Sequence, residues 1–189
     1  MATQRVKTDM NIPGVHIPVM LRETINELNL SLGLTVVDCT TNRAGHSLEI
    51  AKIIGNSGTL ICIDLDNQAL SEAKKNIESN ISKENLPTVH YINSNFSKIE
   101  DILKSLNIQK VDRVLADLGL SSQELDVSGR GFSFMRNEPL LMTFENQDDI
   151  SNETLTAKDI VNSWSEETLS DILFYFADER YAKSIVKNI

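Results

Sequence analysis

Two periods of apolar spacing share this chain. Short apolar runs that end in polar or acidic residues alternate with stretches whose apolar positions recur every three or four residues. The runs Thr35–Cys39, Thr59–Asp64, Thr88–Ile92 and Val111–Asp117 are read as strands. Val19–Leu30, His46–Ile54, Gln68–Ser79 and Ser97–Leu106 are read as helices. Asp66 or Asn67 stands where a cap for the third helix belongs, and Ser97 has capping-box spacing to Glu100. Beyond the first helix the order is β-α-β-α-β-α-β, and each crossover is long enough for a helix. That order predicts an α/β fold with a parallel sheet and right-handed crossovers. The first two strands are nearly continuous apolar runs, as expected when helices cover both faces of a sheet.

The pattern changes after Asp117. Gly119–Asp149 has no period and carries Gly129, Gly131 and Pro139, which reads as a long functional loop. Helical spacing returns from Thr156: Ala157–Trp164, then Ser165–Phe176 with Ser165 as cap and Glu166 and Glu167 in the first turn, then Asp178 onward. The expected organisation is a leader at 1–14, the first half of a cofactor-binding domain at 15–118, a substrate-side loop region at 119–155, and the start of a helical insertion at 156–189.

Composition narrows the functional classes. The 189 residues suffice for one sizeable core. Aromatics make up 5% of them and the net charge is −9, which argues against a surface that binds nucleic acid by stacking or by phosphate contacts alone. The two cysteines, Cys39 and Cys62, lack metal-ligand spacing, so buried inert thiols and no metal are expected. No apolar run approaches the ~18 residues of a membrane span. The polar N-terminus lacks the apolar core of a signal peptide, so a cytoplasmic location and no membrane partner are expected.

The chemistry gathers at the strand ends. In an open parallel sheet the ligand lies outside the carboxyl ends of the strands, and Asp38, Asp64 and Asp117 all fall there. The turn after Asp38, Cys39-Thr40-Thr41-Asn42-Arg43-Ala44-Gly45-His46, leads straight into a helix start. Asp64 lies 19 positions beyond Gly45, a spacing that suits a carboxylate accepting from ribose hydroxyls. A dinucleotide normally calls for G-x-G-x-x-G, and this turn has one glycine. A cofactor without phosphate, such as S-adenosylmethionine, needs close backbone approach at fewer points. Asp38 and the loop amides would then hold its amino-acid end. A methyltransferase is therefore favoured over a nicotinamide-dependent oxidoreductase, which stays open as an alternative.

The stretches VHIPVM (15–20), AGHS (44–47), IDLD (63–66), NFS (95–97), DLGLSSQELD (117–126) and RGFSF (130–134) resemble the bacterial S-adenosylmethionine-dependent methyltransferases of small-subunit ribosomal RNA. Enzymes of that family methylate the exocyclic N4 amine of a decoding-site cytidine. The resemblance runs from about His16 to the end of the chain. It implies a Rossmann-like methyltransferase sheet interrupted by a helical substrate-recognition insertion, with small-subunit ribosomal RNA as partner; it does not give the oligomeric state.

By matching position, the resemblance makes Ala44, Gly45 and His46 the cofactor loop. Asp64 would hold the ribose, Phe96 would lie against the adenine, and Asp117 and Gln123 would complete the cofactor contacts. Asp117 would also stand at the transferring methyl as the catalytic carboxylate, and Arg130 and Arg136 would lie on the substrate side. Three features differ from the family pattern. Cys39, Asn42 and Ala44 stand where the family has glycines, and Ala44 would be strained if its position needs a positive φ. Pro139-Leu140-Leu141-Met142-Thr143-Phe144 stands where the family tends to read P-L-D-M-R-M. Family members are also longer and continue with further strands, so a chain shortened at its C-terminus is expected. A non-catalytic or incomplete cofactor-binding module is the other alternative.

Overall fold

The computed structural model describes residues 18, 20–119, 129–144 and 154–189. The chain divides into two compact units, Met1–Asp117 and Leu118–Ile189.

The first unit is a parallel four-stranded sheet with helices on both faces. In chain order its elements are α1 (Leu21–Glu27), β1 (Thr35–Asp38), α2 (Gly45–Ile54), β2 (Thr59–Asp64), α3 (Asn67–Asn80) and β3 (Thr88–Asn93). A 3-10 turn (Phe96–Lys98) then runs into α4 (Ile99–Ser105), and β4 (Arg113–Leu115) closes the set. The sheet order is β3-β2-β1-β4, with β1 parallel to both β2 and β4. The chain thus builds outward through β1, β2 and β3 and returns to place β4 on the other side of β1. The crevice between β1 and β4 is the topological switch point, where open α/β sheets bind ligands.

Side-chain alternation along the strands makes two cores. Val36, Leu60 and Cys62 face one side and pack with Ile50, Ala51 and Ile54 of α2 and Leu70, Ala73 and Ile77 of α3. Val37, Ile61 and Ile63 face the other side and pack with Ile102 of α4. This two-sided burial is why β1 and β2 read as unbroken apolar runs. Both cysteines are buried, and desolvation raises the pKa of each thiol, that of Cys62 to about 12. Thiolate chemistry is thereby suppressed at both.

Several boundaries differ from the sequence-based expectation, each for a local reason. Asn95, not Ser97, caps the segment before α4: its side chain accepts from the Ser97 N–H at 2.9 Å, which leaves Ser97 inside the 3-10 turn. Asp66 caps α3, accepting from the N–H groups of Gln68 and Ala69. β4 is shorter than Val111–Asp117 because β1 turns away after Asp38. The last backbone bond between them runs from the Cys39 N–H to the Leu115 carbonyl at 2.8 Å.

The second unit holds three helices among its described residues, α5 (Ala157–Ser163), α6 (Glu166–Ala177) and α7 (Ala182–Val186). A capping box of Thr156 and Asp159 opens α5, and Ser165 caps α6. Asp178 ends α6 in the left-handed conformation, so the last helix begins at Ala182 rather than at Asp178. Residues 129–144 form an irregular but well-tied loop. Leu140 and Leu141 offer carbonyls to the first-turn N–H groups of Lys158 and Ala157. No helix among the described residues is long and apolar enough to cross a membrane.

Candidate cofactor site at the switch point

The turn after β1 is pinned almost amide by amide. The Thr40 N–H donates to Asp38 Oδ1 at 3.1 Å, and the Thr41 N–H to the Ile63 carbonyl at 3.1 Å. The Asn42 N–H donates to Asp64 Oδ2 at 2.7 Å, and the Ala44 N–H to the Thr41 carbonyl at 2.8 Å. Arg43 is held from outside by Glu72 at 2.7 Å. The loop is therefore set in shape before any ligand arrives, which reduces the ordering cost of binding.

Asn42 (φ 46°) and Ala44 (φ 66°) both occupy the left-handed region. These are two of the three positions where the chain has lost a glycine of the family pattern; the third, Cys39, does not have a positive φ. Asn tolerates this conformation, but Ala carries the Cβ clash, a cost of roughly 1–2 kcal/mol. Ala44 is also the N-cap of α2, and its methyl cannot accept a hydrogen bond. The first-turn amides of α2 thus lack the side-chain cap that Asp66 supplies to α3.

Gly45 has a different constraint. A Cβ there would come within 2.1 Å of the Pro18 ring, so glycine is required by the approach of the segment before α1. Gly45, expected in the cofactor loop, thus also serves a packing contact with a distant segment.

The acidic residues at the strand ends have separate surroundings. Asp38 is 1% exposed, and its carboxylate is engaged inside the fold: Ser47 Oγ donates to Oδ2 at 2.6 Å, and the Thr40 N–H donates to Oδ1. Asp38, expected at the cofactor's amino-acid end, is thus an interior carboxylate that shapes the loop after β1. Burial raises the pKa of Asp38, partly offset by the bonds from Ser47 and Thr40. Asp64 is half-buried and accepts from the Asn42 N–H and, at 2.9 Å, from the Asp66 N–H.

Asp117 is 53% exposed, the most open of the three strand-end aspartates. Its N–H donates to Thr40 Oγ1 at 2.7 Å, across the crevice between β1 and β4. Its Oδ2 lies 3.9 Å from His46 Nδ1 on the first turn of α2. The His46 ring is 7% exposed, and its Nε2 is buried with no hydrogen-bond partner among the described residues. Phe96 is 41% exposed just past the end of β3, so it is not the core residue that a phenylalanine at a helix start usually is.

Three expected site residues, Gln123, Arg130 and Arg136, fall in the second unit. Gln123 lies outside the described residues. Arg130, expected on the substrate side, is 6% exposed, and its Nη1 donates to the Phe144 carbonyl at 2.7 Å. That bond ties the loop at 129–144 to itself. Arg136 is exposed.

The arrangement favours one kind of ligand. Carboxylates at one end of a parallel sheet create a negative potential, which suits a cofactor carrying positive charge and disfavours a pyrophosphate. Among the described residues no group of three or more His, Cys, Asp and Glu is placed to hold a metal ion.

The model of the MraW methylase family matches residues 14–189. The ribosomal RNA small subunit methyltransferases H of Finegoldia magna and of Mycoplasma capricolum subsp. capricolum are each 44% identical to the chain over 174 residues. These alignments cover 92% of this chain and 52% and 53% of those proteins, so the chain spans about half the length of the relatives it matches. A SAM-dependent O-methyltransferase structure from Thermotoga maritima is 16% identical, with a TM-score of 0.39 over 47% of this chain and 32% of that one, a likeness too slight to bear on either fold or function. By the extent of the family match and the identity to these relatives, the chain belongs to the MraW methylase family.

Proposed function

We propose that the protein to which this sequence belongs transfers a methyl group from S-adenosylmethionine to the exocyclic amine of a cytidine in small-subunit ribosomal RNA. The observation that carries the reading is the clustering at one sheet end of Asp64, the uncapped start of α2 and the open carboxylate of Asp117. The names of the relatives that share 44% identity support the substrate class. A substrate in the ribosomal subunit would place the protein in the cytoplasm.

The cofactor, when bound, supplies an electrophilic methyl on a sulfonium. Asp64 would accept from the ribose hydroxyls, and Phe96 would stack on the adenine. The α2 amides would meet the carboxylate of the amino-acid end. The cytosine amine is conjugated with its ring and is a weak nucleophile. Asp117 would accept from an amine N–H, aim the nitrogen at the methyl carbon and balance the positive charge that grows on nitrogen. The sulfonium would leave as the thioether, and Asp117 or solvent would take the proton that the amine must release. The target base would have to leave its stack to enter the crevice.

The test is transfer of isotope-labelled methyl from S-adenosylmethionine to unmodified small-subunit particles by the full protein, with the product nucleoside identified by mass spectrometry. N4-methylcytidine is expected. Label on another atom, or none, would overturn the reading. A cofactor-binding module without transferase activity is the second reading, favoured by Leu141 and Thr143 standing where the family tends to have Asp and Arg. Tight cofactor binding with no transfer would support it.

A further inference from the structure

A chain of three hydrogen bonds leads from the interior of the first unit to the switch point. Ser47 Oγ donates to Asp38 Oδ2 at 2.6 Å, the Thr40 N–H donates to Asp38 Oδ1 at 3.1 Å, and the Asp117 N–H donates to Thr40 Oγ1 at 2.7 Å. Thr40 sits where backbone pairing of β1 with β4 has ended, since Cys39 makes the last main-chain bond to β4. Its side chain therefore extends the ladder by one step, to the residue whose carboxylate opens into the crevice. The Asp117 carboxylate itself accepts no hydrogen bond among the described residues; the nearest basic group is His46 Nδ1 at 3.9 Å. Its position is thus set from its own backbone and not from its head group.

We propose that Thr40 is a positioning residue for the transfer step: its hydroxyl oxygen, anchored through the buried Asp38–Ser47 pair, fixes the Asp117 backbone and so the reach of the Asp117 carboxylate into the crevice. The proposal rests on the methyl-transfer reading. It assigns a role to a residue that touches neither the transferred methyl nor the target base. The hydroxyl must act as an acceptor. Serine can replace threonine in this role, and the near-isosteric valine cannot. A shift of about 1 Å at a reacting group can lower a rate by ~100-fold, so loss of this bond should act on turnover more than on binding.

The experiment compares Thr40→Val, Thr40→Ala and Thr40→Ser with the unaltered full protein. It measures methyl transfer to small-subunit particles, cofactor affinity by calorimetry, and hydrogen exchange resolved at the Asp117 amide. For Thr40→Val and Thr40→Ala, kcat should fall about 10- to 100-fold while cofactor affinity stays within about threefold. In both, the Asp117 amide should exchange at least ~10-fold faster, with the Val37 amide of β1 unchanged. Thr40→Ser should retain both turnover and amide protection. Turnover equal to that of the unaltered protein in Thr40→Val, or a loss confined to cofactor affinity, would overturn the role while leaving the methyltransferase reading intact. Absence of transfer by the unaltered protein would overturn that reading and this role together.

Discussion

Asp64 Oδ2 accepts the Asn42 N–H at 2.7 Å, so the carboxylate at the end of β2 holds the turn after β1 at a residue with φ 46°. One side chain thus ties the end of β2 to the turn after β1. A charge-assisted bond of this kind contributes about 1.5–3 kcal/mol. Asp64→Ala should lower unfolding free energy by an amount in that range and weaken S-adenosylmethionine binding at least ~10-fold. Denaturant titration and calorimetry on the same sample check both effects. Unchanged cofactor affinity would remove Asp64 from the site.

Phe96 separates binding from folding. Its ring is substantially exposed, so Phe96→Ala should cost little stability. If the ring stacks on adenine, the loss of affinity should correspond to about 1–3 kcal/mol, or ~5- to 150-fold in Kd. Calorimetric titration with S-adenosylmethionine reads this directly, and an unaltered Kd would reject the stacking role.

Ala44 sets two effects against each other. Ala44→Gly relieves a left-handed strain of roughly 1–2 kcal/mol, but it removes a buried methyl worth about 0.8 kcal/mol and adds glycine's unfolded-state entropy. These nearly cancel, so the melting temperature should move by only a few degrees. Ala44→Val keeps the strain and adds bulk in a filled core, and it should destabilise by more than ~2 kcal/mol. Thermal unfolding of the pair is the check; a tolerated valine would contradict the left-handed geometry.

Asp38 gives a pH signature with a definite sign. Its folded-state pKa is raised by burial above the unfolded value near 3.8, so between those two values the folded chain binds the proton more tightly than the unfolded chain. The contribution of Asp38 to stability therefore declines as pH rises through that interval. Asp38→Asn carries no such dependence. The stability of the variant minus that of the unaltered protein should increase from pH 4 upward until the raised pKa is passed, as read from denaturant titrations at a series of pH values. A difference that decreases with pH would show that the carboxylate is stabilised in its ionised form.

In the second unit, Gly131 has φ 81°, and a Cβ added to it would lie 2.4 Å from the Pro139 carbonyl oxygen. Gly131→Ala should therefore loosen the loop that Arg130 ties to Phe144. Faster proteolysis or hydrogen exchange within residues 129–144, with the first unit unchanged, is the expected result.

Much of the first unit was legible from the chain. The apolar runs of β1 and β2 and the return to a fourth strand after α4 come from burial on two faces, a strong and local signal. The acidic strand ends were legible as a set, but their separate fates were not. Asp38 and Asp64 both end apolar runs, yet one is buried under Ser47 while the other is half-buried and bonded to the Asn42 and Asp66 amides, and that depends on which distant segment meets each. Pro18 against Gly45 and Thr40 against Asp117 are contacts between distant segments, which no periodicity announces. The nearest sequence signal for Thr40 is its place two residues past Asp38, where a carboxylate commonly accepts the following amides. The burial of Arg130 was not legible either, because a basic residue in an irregular segment reads as surface, whereas this one donates to a backbone carbonyl.

The sheet order also sets when the crevice comes into being. β1, β2 and β3 are neighbours in sequence as well as in space, but the partner on the far side of β1 is made only after α4. At synthesis rates of about 5–20 residues per second, the turn after β1 waits on the order of 10 s for Asp117 to follow it. Through that interval β1 has an unpaired edge, and Thr40 lacks the amide it will accept. The growing chain therefore makes the strands of its sheet core before the residues that complete the crevice.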